Sequence, residues 1–301
     1  MIILETDNLD KSYGMVHAVN HLSLTVGAGQ VYGILGPNGS GKTTTLSMLM
    51  GIVRPNGGSF KWFGGQNGPD ANKRIGALIE TPNFYPYLSL EQNLKIVCRI
   101  KGVDEKDIQR VIRLVGLHER SRSRFQTLSL GMKQRLALGS LLLGDPEVLV
   151  MDEVTNGLDP EGIAEVRTLI RQVASTGKTI ILASHILDEV EKVCTHVVIL
   201  KKGSKLAEGE VDSLIKGKEV IILSGDNLDQ LSAALSASLL VESFTRENED
   251  LKVILKGEVK TGDLSKELME KGIALNRIEV RKNRLEDQFL ELVKQDNTPQ
   301  S

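Results

Sequence analysis

Between Val16 and Val26 the apolar residues fall mostly on alternate positions (Val16, Ala18, Leu22, Leu24, Val26), the period of a strand with one buried face. Val31–Leu35 follows as a short, nearly continuous apolar run and predicts a buried strand. A glycine-rich turn then leads into a helix through Thr44–Met50. Downstream, Val148–Met151, Thr179–Ala183 and Val197–Leu200 are three more compact apolar runs, separated by helical stretches. Short β-rich runs alternating with helices are the pattern of parallel strands joined by crossover helices, hence an α/β fold. Between Pro86 and Pro146 the pattern turns helical, over Glu91–Ile100, Glu105–Val115 and Met132–Leu143, so residues 84–146 read as a helical insertion into that fold. The pattern restarts near Gly217. Strands are expected at Glu219–Leu223, Leu239–Phe244, Leu251–Leu255 and Ala274–Val280, with helices at Leu228–Leu235, Leu264–Glu270 and Leu285–Val293. The succession βαββαβ plus a last helix predicts a small α+β, ferredoxin-like domain over 217–301, after a first domain over 1–216. The last residues, 296–301, are expected to fray.

Composition changes this picture little. The 301 residues suffice for two domains with real cores. The 37 Lys+Arg against 39 Asp+Glu leave a net charge of −2, with no global attraction to nucleic acid or an anionic membrane. The last domain, with 12 basic and 16 acidic residues over 218–301, is no nucleic-acid-binding tail. Two cysteines far apart, Cys98 and Cys194, form neither a disulfide scaffold nor a metal site and suit a reducing compartment. The acidic start MIILETDNLD does not resemble a signal peptide, and no apolar run approaches a membrane span. The expectation is a soluble cytosolic protein.

The chemistry begins at Gly36-Pro37-Asn38-Gly39-Ser40-Gly41-Lys42-Thr43, which matches G-x-x-x-x-G-K-[ST] between an expected strand and an expected helix. Glycines let successive backbone N–H groups point inward at phosphate oxygens, and the helix start adds its positive end. Asn38, Gly39, Ser40, Gly41, Lys42, Thr43 and Thr44 are therefore the candidate phosphate cradle. Lys42 would reach the β- and γ-phosphates, and the Thr43 hydroxyl would help hold Mg²⁺. In Glu147–Glu153 an apolar strand ends in two acids. Asp152 is the candidate Mg²⁺ partner and Glu153 the candidate general base for an attacking water. Alone, an acid at a strand end is commonplace; beside a P-loop it gains meaning.

Other segments are weaker singly. Leu128-Ser129-Leu130-Gly131-Met132-Lys133-Gln134-Arg135 opens a helix with Ser129 at its N-cap and Gly131 leaving the backbone N–H groups uncovered. That arrangement can bind an anion or simply cap a helix. Asn156-Gly157-Leu158-Asp159-Pro160 follows Glu153 closely. His185, after the apolar run ending at Ala183, could equally be an ordinary helix-start residue. Tyr13 could stack on a base or merely pack.

In this order and spacing these motifs resemble the ATP-binding subunit of ABC transporters, with matches from about Tyr13 to His185 and flanking strands to roughly Glu208. The resemblance implies an ABC ATPase cassette with a mixed sheet and a helical subdomain, using ATP and Mg²⁺. It implies that Tyr13 stacks on adenine, that Ser129 and Gly131 grip the γ-phosphate of an ATP held by the opposite subunit, that Asp159 lies at the dimer seam, and that His185 contacts the γ-phosphate. It further implies a homodimer, or pairing with a second ATPase subunit. The dimer would serve a separately encoded integral membrane permease at the inner face of the cell membrane, with no nucleic acid partner.

The departures narrow the resemblance. Glu80 stands where the family has glutamine after its third strand. Its carboxylate could approach Mg²⁺ or water, but donates no hydrogen bond unless protonated. Leu130 replaces a glycine of the usual signature, Met132 a glutamine, and Val154 a proline. Glu80 with the stretch through Ser89, and the ending Leu285–Leu292, are similar to the bacitracin- and lantibiotic-resistance exporters. The surface around Glu80–Tyr87 is the expected groove for a permease helix. The competing reading is a soluble ABC ATPase acting on ribosomes or DNA; one P-loop, no long heptad run and no basic stretch speak against it.

Overall fold

The computed structural model describes residues 1–65, 68–80, 83–215, 220–257, 259–281 and 285–286. The chain divides into two units, Met1–Val211 and Asp212–Ser301. The expected junction at 216/217 and most of the expected last helix lie outside the described residues, as does the expected frayed tail.

The first unit runs β1 (Ile2–Tyr13), β2 (Val16–Gly27), β3 (Val31–Leu35), α1 (Lys42–Leu49), β4 (Gly57–Trp62), α2 (Pro69–Lys73) and β5 (Ile75–Leu78). The helical insertion follows as α3 (Leu90–Lys101), α4 (Asp107–Leu114) and α5 (Leu130–Leu142). The chain then returns through β6 (Val148–Asp152), α6 (Pro160–Ala174), β7 (Thr179–Ser184), α7 (Leu187–Val193), β8 (His196–Lys201) and β9 (Ser204–Glu210), and α8 (Val211–Ile215) starts at the last residue of this unit. A six-stranded sheet has the order β5-β6-β7-β3-β8-β9. Its strands are parallel except β9, which pairs antiparallel with β8. Every residue of β3 and of β7 is buried, which is why both read as continuous apolar runs rather than alternating ones.

A second sheet, β2-β1-β4, is antiparallel. The long first strand escapes the sequence pattern because its pairing with β2 shifts register between Thr6 and Leu9 and again between Leu9 and Lys11. Each shift breaks the alternation by which a strand is recognised. The two sheets share one core, where Leu4, Leu9, Leu22 and Trp62 pack with Ile34, Leu46, Val150 and Val198.

The insertion is built on explicit stops. A capping box between Ser89 and Gln92 starts α3, and Gly102 in the left-handed region (φ 68°) ends it. The carbonyls closing α5 are not left bare. Those of Ser140 and Leu141 accept from Lys101 Nζ at 2.8 and 3.1 Å, and that of Leu142 accepts from Arg110 at 2.9 Å. These cations also suit the negative end of the helix.

The second unit contains β10 (Val220–Gly225), α9 (Leu228–Ser236), β11 (Val241–Glu247), β12 (Asp250–Leu255), α10 (Thr261–Glu270) and β13 (Leu275–Arg281). Its antiparallel sheet has the order β11-β12-β10-β13, so β12 is inserted between β10 and β11, which run in the same direction. Its core unites Ile221, Leu223, Leu251 and Val253 from the sheet with Leu231, Leu235, Leu264 and Leu268 from the helices.

Candidate active site

Strand β3 delivers the chain into the loop Gly36–Thr43, and α1 leaves it with Lys42 as its first residue. Two of the glycines are required by close approach. A Cβ at Gly36 would lie 2.3 Å from the Leu200 carbonyl oxygen and 2.5 Å from Ser40 Oγ. At Gly41, which caps α1 at φ 103°, it would lie 2.3 Å from the Ala18 carbonyl oxygen. Gly41→Ala thus combines a left-handed backbone with a backbone clash, and we expect it to cost about 2–3 kcal/mol of stability. The measurement is a urea melt, where the midpoint should fall at unchanged slope; an unchanged midpoint would contradict the geometry. No acidic side chain sits in the first turn of α1, so its N-terminal end is open to an anion.

Lys42 is only 4% exposed. Its Nζ donates to the carbonyls of Gly36 (2.8 Å) and Pro37 (3.2 Å) and lies 3.4 Å from Glu153 Oε1. Thr43 Oγ1 donates to Asp152 Oδ2 at 2.6 Å, joining the start of α1 to the end of β6. The other oxygen, Asp152 Oδ1, is buried without a partner. Burial pushes the Asp152 carboxyl above its usual range. The Thr43 hydrogen bond opposes that shift, and the neighbouring Glu153 reinforces it.

Glu153 occupies the left-handed region at φ 47°, a conformation costing about 1–3 kcal/mol for a non-glycine residue. Its N–H donates to the Ala183 carbonyl at 2.9 Å, holding the strained turn against β7. Oε2 accepts from the Asn156 amide and lies 3.1 Å from His185 Nδ1, without the alignment of a hydrogen bond. Burial alone would raise the Glu153 carboxyl. The Asn156 hydrogen bond and the charges of His185 and Lys42 outweigh burial and leave it lowered, so it is held ionised.

Among the described residues, Ser40 Oγ and Asp152 Oδ1 are buried polar atoms without a hydrogen-bond partner. They belong to the loop and to the end of β6. Unsatisfied buried groups are costly, and their concentration here marks a place finished by a ligand. No group of three or more His, Cys, Asp or Glu side chains among the described residues could hold a metal ion. The oxygens of Thr43 and Asp152 are the donor type that a hard cation takes alongside phosphate and water.

The other expected site residues do not join this cluster. Ser129 caps α5, its Oγ accepting from Met132 N at 3.3 Å, and Asp159 caps α6, its Oδ1 accepting from Gly162 N at 2.9 Å. With Gly131 they line a separate groove. Among the described residues no hydrogen bond or ion pair ties Ser129, Gly131 or Asp159 to Lys42, Asp152, Glu153 or His185. Tyr13 ends β1 half-exposed, with Lys11 Nζ 5.2 Å from its ring centroid. Glu80 is exposed just beyond β5 at φ 68°, and its charge contributes to the raised Asp152 carboxyl.

The chain is similar to known proteins over almost all of its length. Residues 19–156 match the ABC transporter family model. The chain is 38% identical to the bacitracin transport ATP-binding protein BcrA of Bacillus licheniformis over 97% of both chains. The chain belongs to the ABC transporter family. It is its ATP-binding subunit, and it binds and hydrolyses ATP. The lantibiotic transport ATP-binding protein SrtF of Streptococcus pyogenes is 39% identical over 70% of this chain and 92% of that protein. A solved ATP-binding subunit of an ABC transporter superposes with a TM-score of 0.63 at 28% identity, covering 78% of this chain and 99% of the other.

Sequence reasoning passed over one residue of the cassette that touches Glu153 directly. Asn156 was visible only as part of the run before Asp159. Its signal is the spacing, since a side chain three residues on in a tight turn returns to the residue that opens it.

Proposed function

We propose that this subunit powers the export of a peptide antibiotic of the bacitracin or lantibiotic kind, through a separately encoded permease at the inner face of the cell membrane. The observation that carries the reading is the length of the match to the bacitracin transport protein. It runs through the small C-terminal unit as well as the cassette, whereas the lantibiotic transport match covers 70% of the chain. No helix among the described residues is long and apolar enough to cross a membrane, so the path for a substrate would belong to another chain.

In the proposed reaction the loop N–H groups and Lys42 hold the β- and γ-phosphates of ATP. Thr43 and Asp152 would hold Mg²⁺, Glu80 would act on the ion or its water, and the ion would draw charge from the phosphate oxygens. Glu153, ionised and fixed by Asn156, takes a proton from the water that attacks the γ-phosphorus. His185 supports the same phosphate. Tyr13 would stack on adenine. The groove of Ser129, Gly131 and Asp159 lies apart from Lys42, which suits a dimer in which it closes over the ATP of the opposite subunit.

The test is co-expression of the chain with its permease in a bacitracin-sensitive host. The inhibitory concentration of bacitracin or of a lantibiotic should rise, and Glu153→Gln should abolish the rise. Unchanged sensitivity to both, with both proteins made and ATP hydrolysed, would sink the export reading.

A further inference from the structure

Glu189 is a charged side chain with no place in the reaction described above, yet it is 7% exposed. It lies in α7, four residues after His185. Its Oε2 accepts from Thr155 Oγ1 at 2.5 Å, and Thr155 is itself 8% exposed and two residues after Glu153. The bond therefore crosses between the two short segments that carry the Glu153 carboxylate and the His185 ring. Thr155 and Glu189 line a small cavity together with apolar Val154, Ile163, Ile170 and Leu182 and with polar Ser184 and Arg167 of α6. Arg167 Nε is buried without a hydrogen-bond partner.

We propose that Thr155 and Glu189 are positioning residues that clamp the Glu153 turn to the His185 segment and so set the 3.1 Å approach of His185 Nδ1 to Glu153. Three observations support it. Glu153 sits at φ 47°, and a strained residue keeps its conformation only where its surroundings over-determine it. On the N-terminal side that restraint is the bond from Glu153 N to the Ala183 carbonyl. On the C-terminal side the turn's own bond, Asn156 N to the Glu153 carbonyl at 3.2 Å, is local and cannot fix its position relative to α7. The Thr155 hydroxyl is the group that reaches across. A buried hydroxyl–carboxylate bond is short, directional and strong.

The inference rests on Glu153 being the base, and the experiment separates the two claims. Steady-state ATP hydrolysis by the full-length chain is measured for Thr155→Val, Thr155→Ser, Glu189→Gln and the Thr155→Val/Glu189→Gln double variant, with Glu153→Gln beside them. Thr155→Val keeps shape and loses the hydroxyl. It should lower kcat roughly 10- to 100-fold, the scale of a misplaced reacting group, with KM for ATP nearly unchanged. Thr155→Ser restores the donor and should restore kcat. Glu189→Gln keeps an accepting oxygen and should lose far less than Thr155→Val, and the double variant should be no slower than Thr155→Val alone, because both changes act on one bond. Folding is followed by thermal melting, and a variant that melts early is replaced in the comparison by Thr155→Ala. A folded Thr155→Val or Thr155→Ala with wild-type kcat, or a Thr155→Ser as slow as Thr155→Val, overturns the clamp. If Glu153→Gln itself hydrolyses ATP normally, it is the assignment of the base that falls.

Discussion

Glu153→Gln is expected to lower kcat by about two to four orders of magnitude, the usual contribution of a positioned general base, while ATP still binds. The substitution is nearly isosteric. The glutamine oxygen can accept from Asn156 as Oε2 does, so the turn keeps its bond. What is lost is the charge that Lys42 and His185 hold ionised and that would receive the water's proton. With turnover blocked and binding intact, ATP should accumulate in a closed dimer, seen as an ATP-dependent shift in size-exclusion chromatography. Hydrolysis at the wild-type rate would show that another group takes the proton.

Lys42→Ala is expected to strike the earlier step. The Nζ contributes charged hydrogen bonds to the loop now and would contribute them to phosphate in the complex. Losing such a bond costs about 2–3 kcal/mol, or roughly 30- to 150-fold in Kd. The change also strips Glu153 of its nearest lysine, at 3.4 Å. Equilibrium binding of a fluorescent ATP analogue measures this, and turnover should fall with it. Wild-type affinity would mean that the loop amides alone carry the phosphates. The pair of variants divides the site, since one should bind ATP weakly and the other should bind it without turning over.

Much of the fold is legible along the chain because buried parallel strands are continuous apolar runs and helices carry their caps in sequence. β6, β7 and β8 are each signalled by four or more consecutive residues of that kind, and β3 by four interrupted only by Gly33. β1 is not, because its register shifts against β2 scatter its inward residues among Glu5, Asp7 and Asp10. The four strands of the small unit are visible as strands. The pairing that inserts β12 between β10 and β11 is long-range, and the βαββαβ succession is its sole mark along the chain.

The sequence by itself determined the chemistry available to this protein: a glycine loop with Lys42 and Thr43, two acids at the end of an apolar strand, and His185 after another. These are local motifs, and local motifs survive in one dimension because a turn, a cap or a strand end needs only neighbouring residues. Tertiary structure alone decided which groups meet. Parallel pairing of β6 and β7 brings Asp152 opposite Ala183 and hence Glu153 within 3.1 Å of His185. It sets Thr43 against Asp152 across 109 positions of sequence and Thr155 against Glu189 across 34. It also leaves Ser129 and Asp159 in a groove of their own. Contacts of that reach are set by the stacking of the sheet and the burial of its core, which no window of sequence contains.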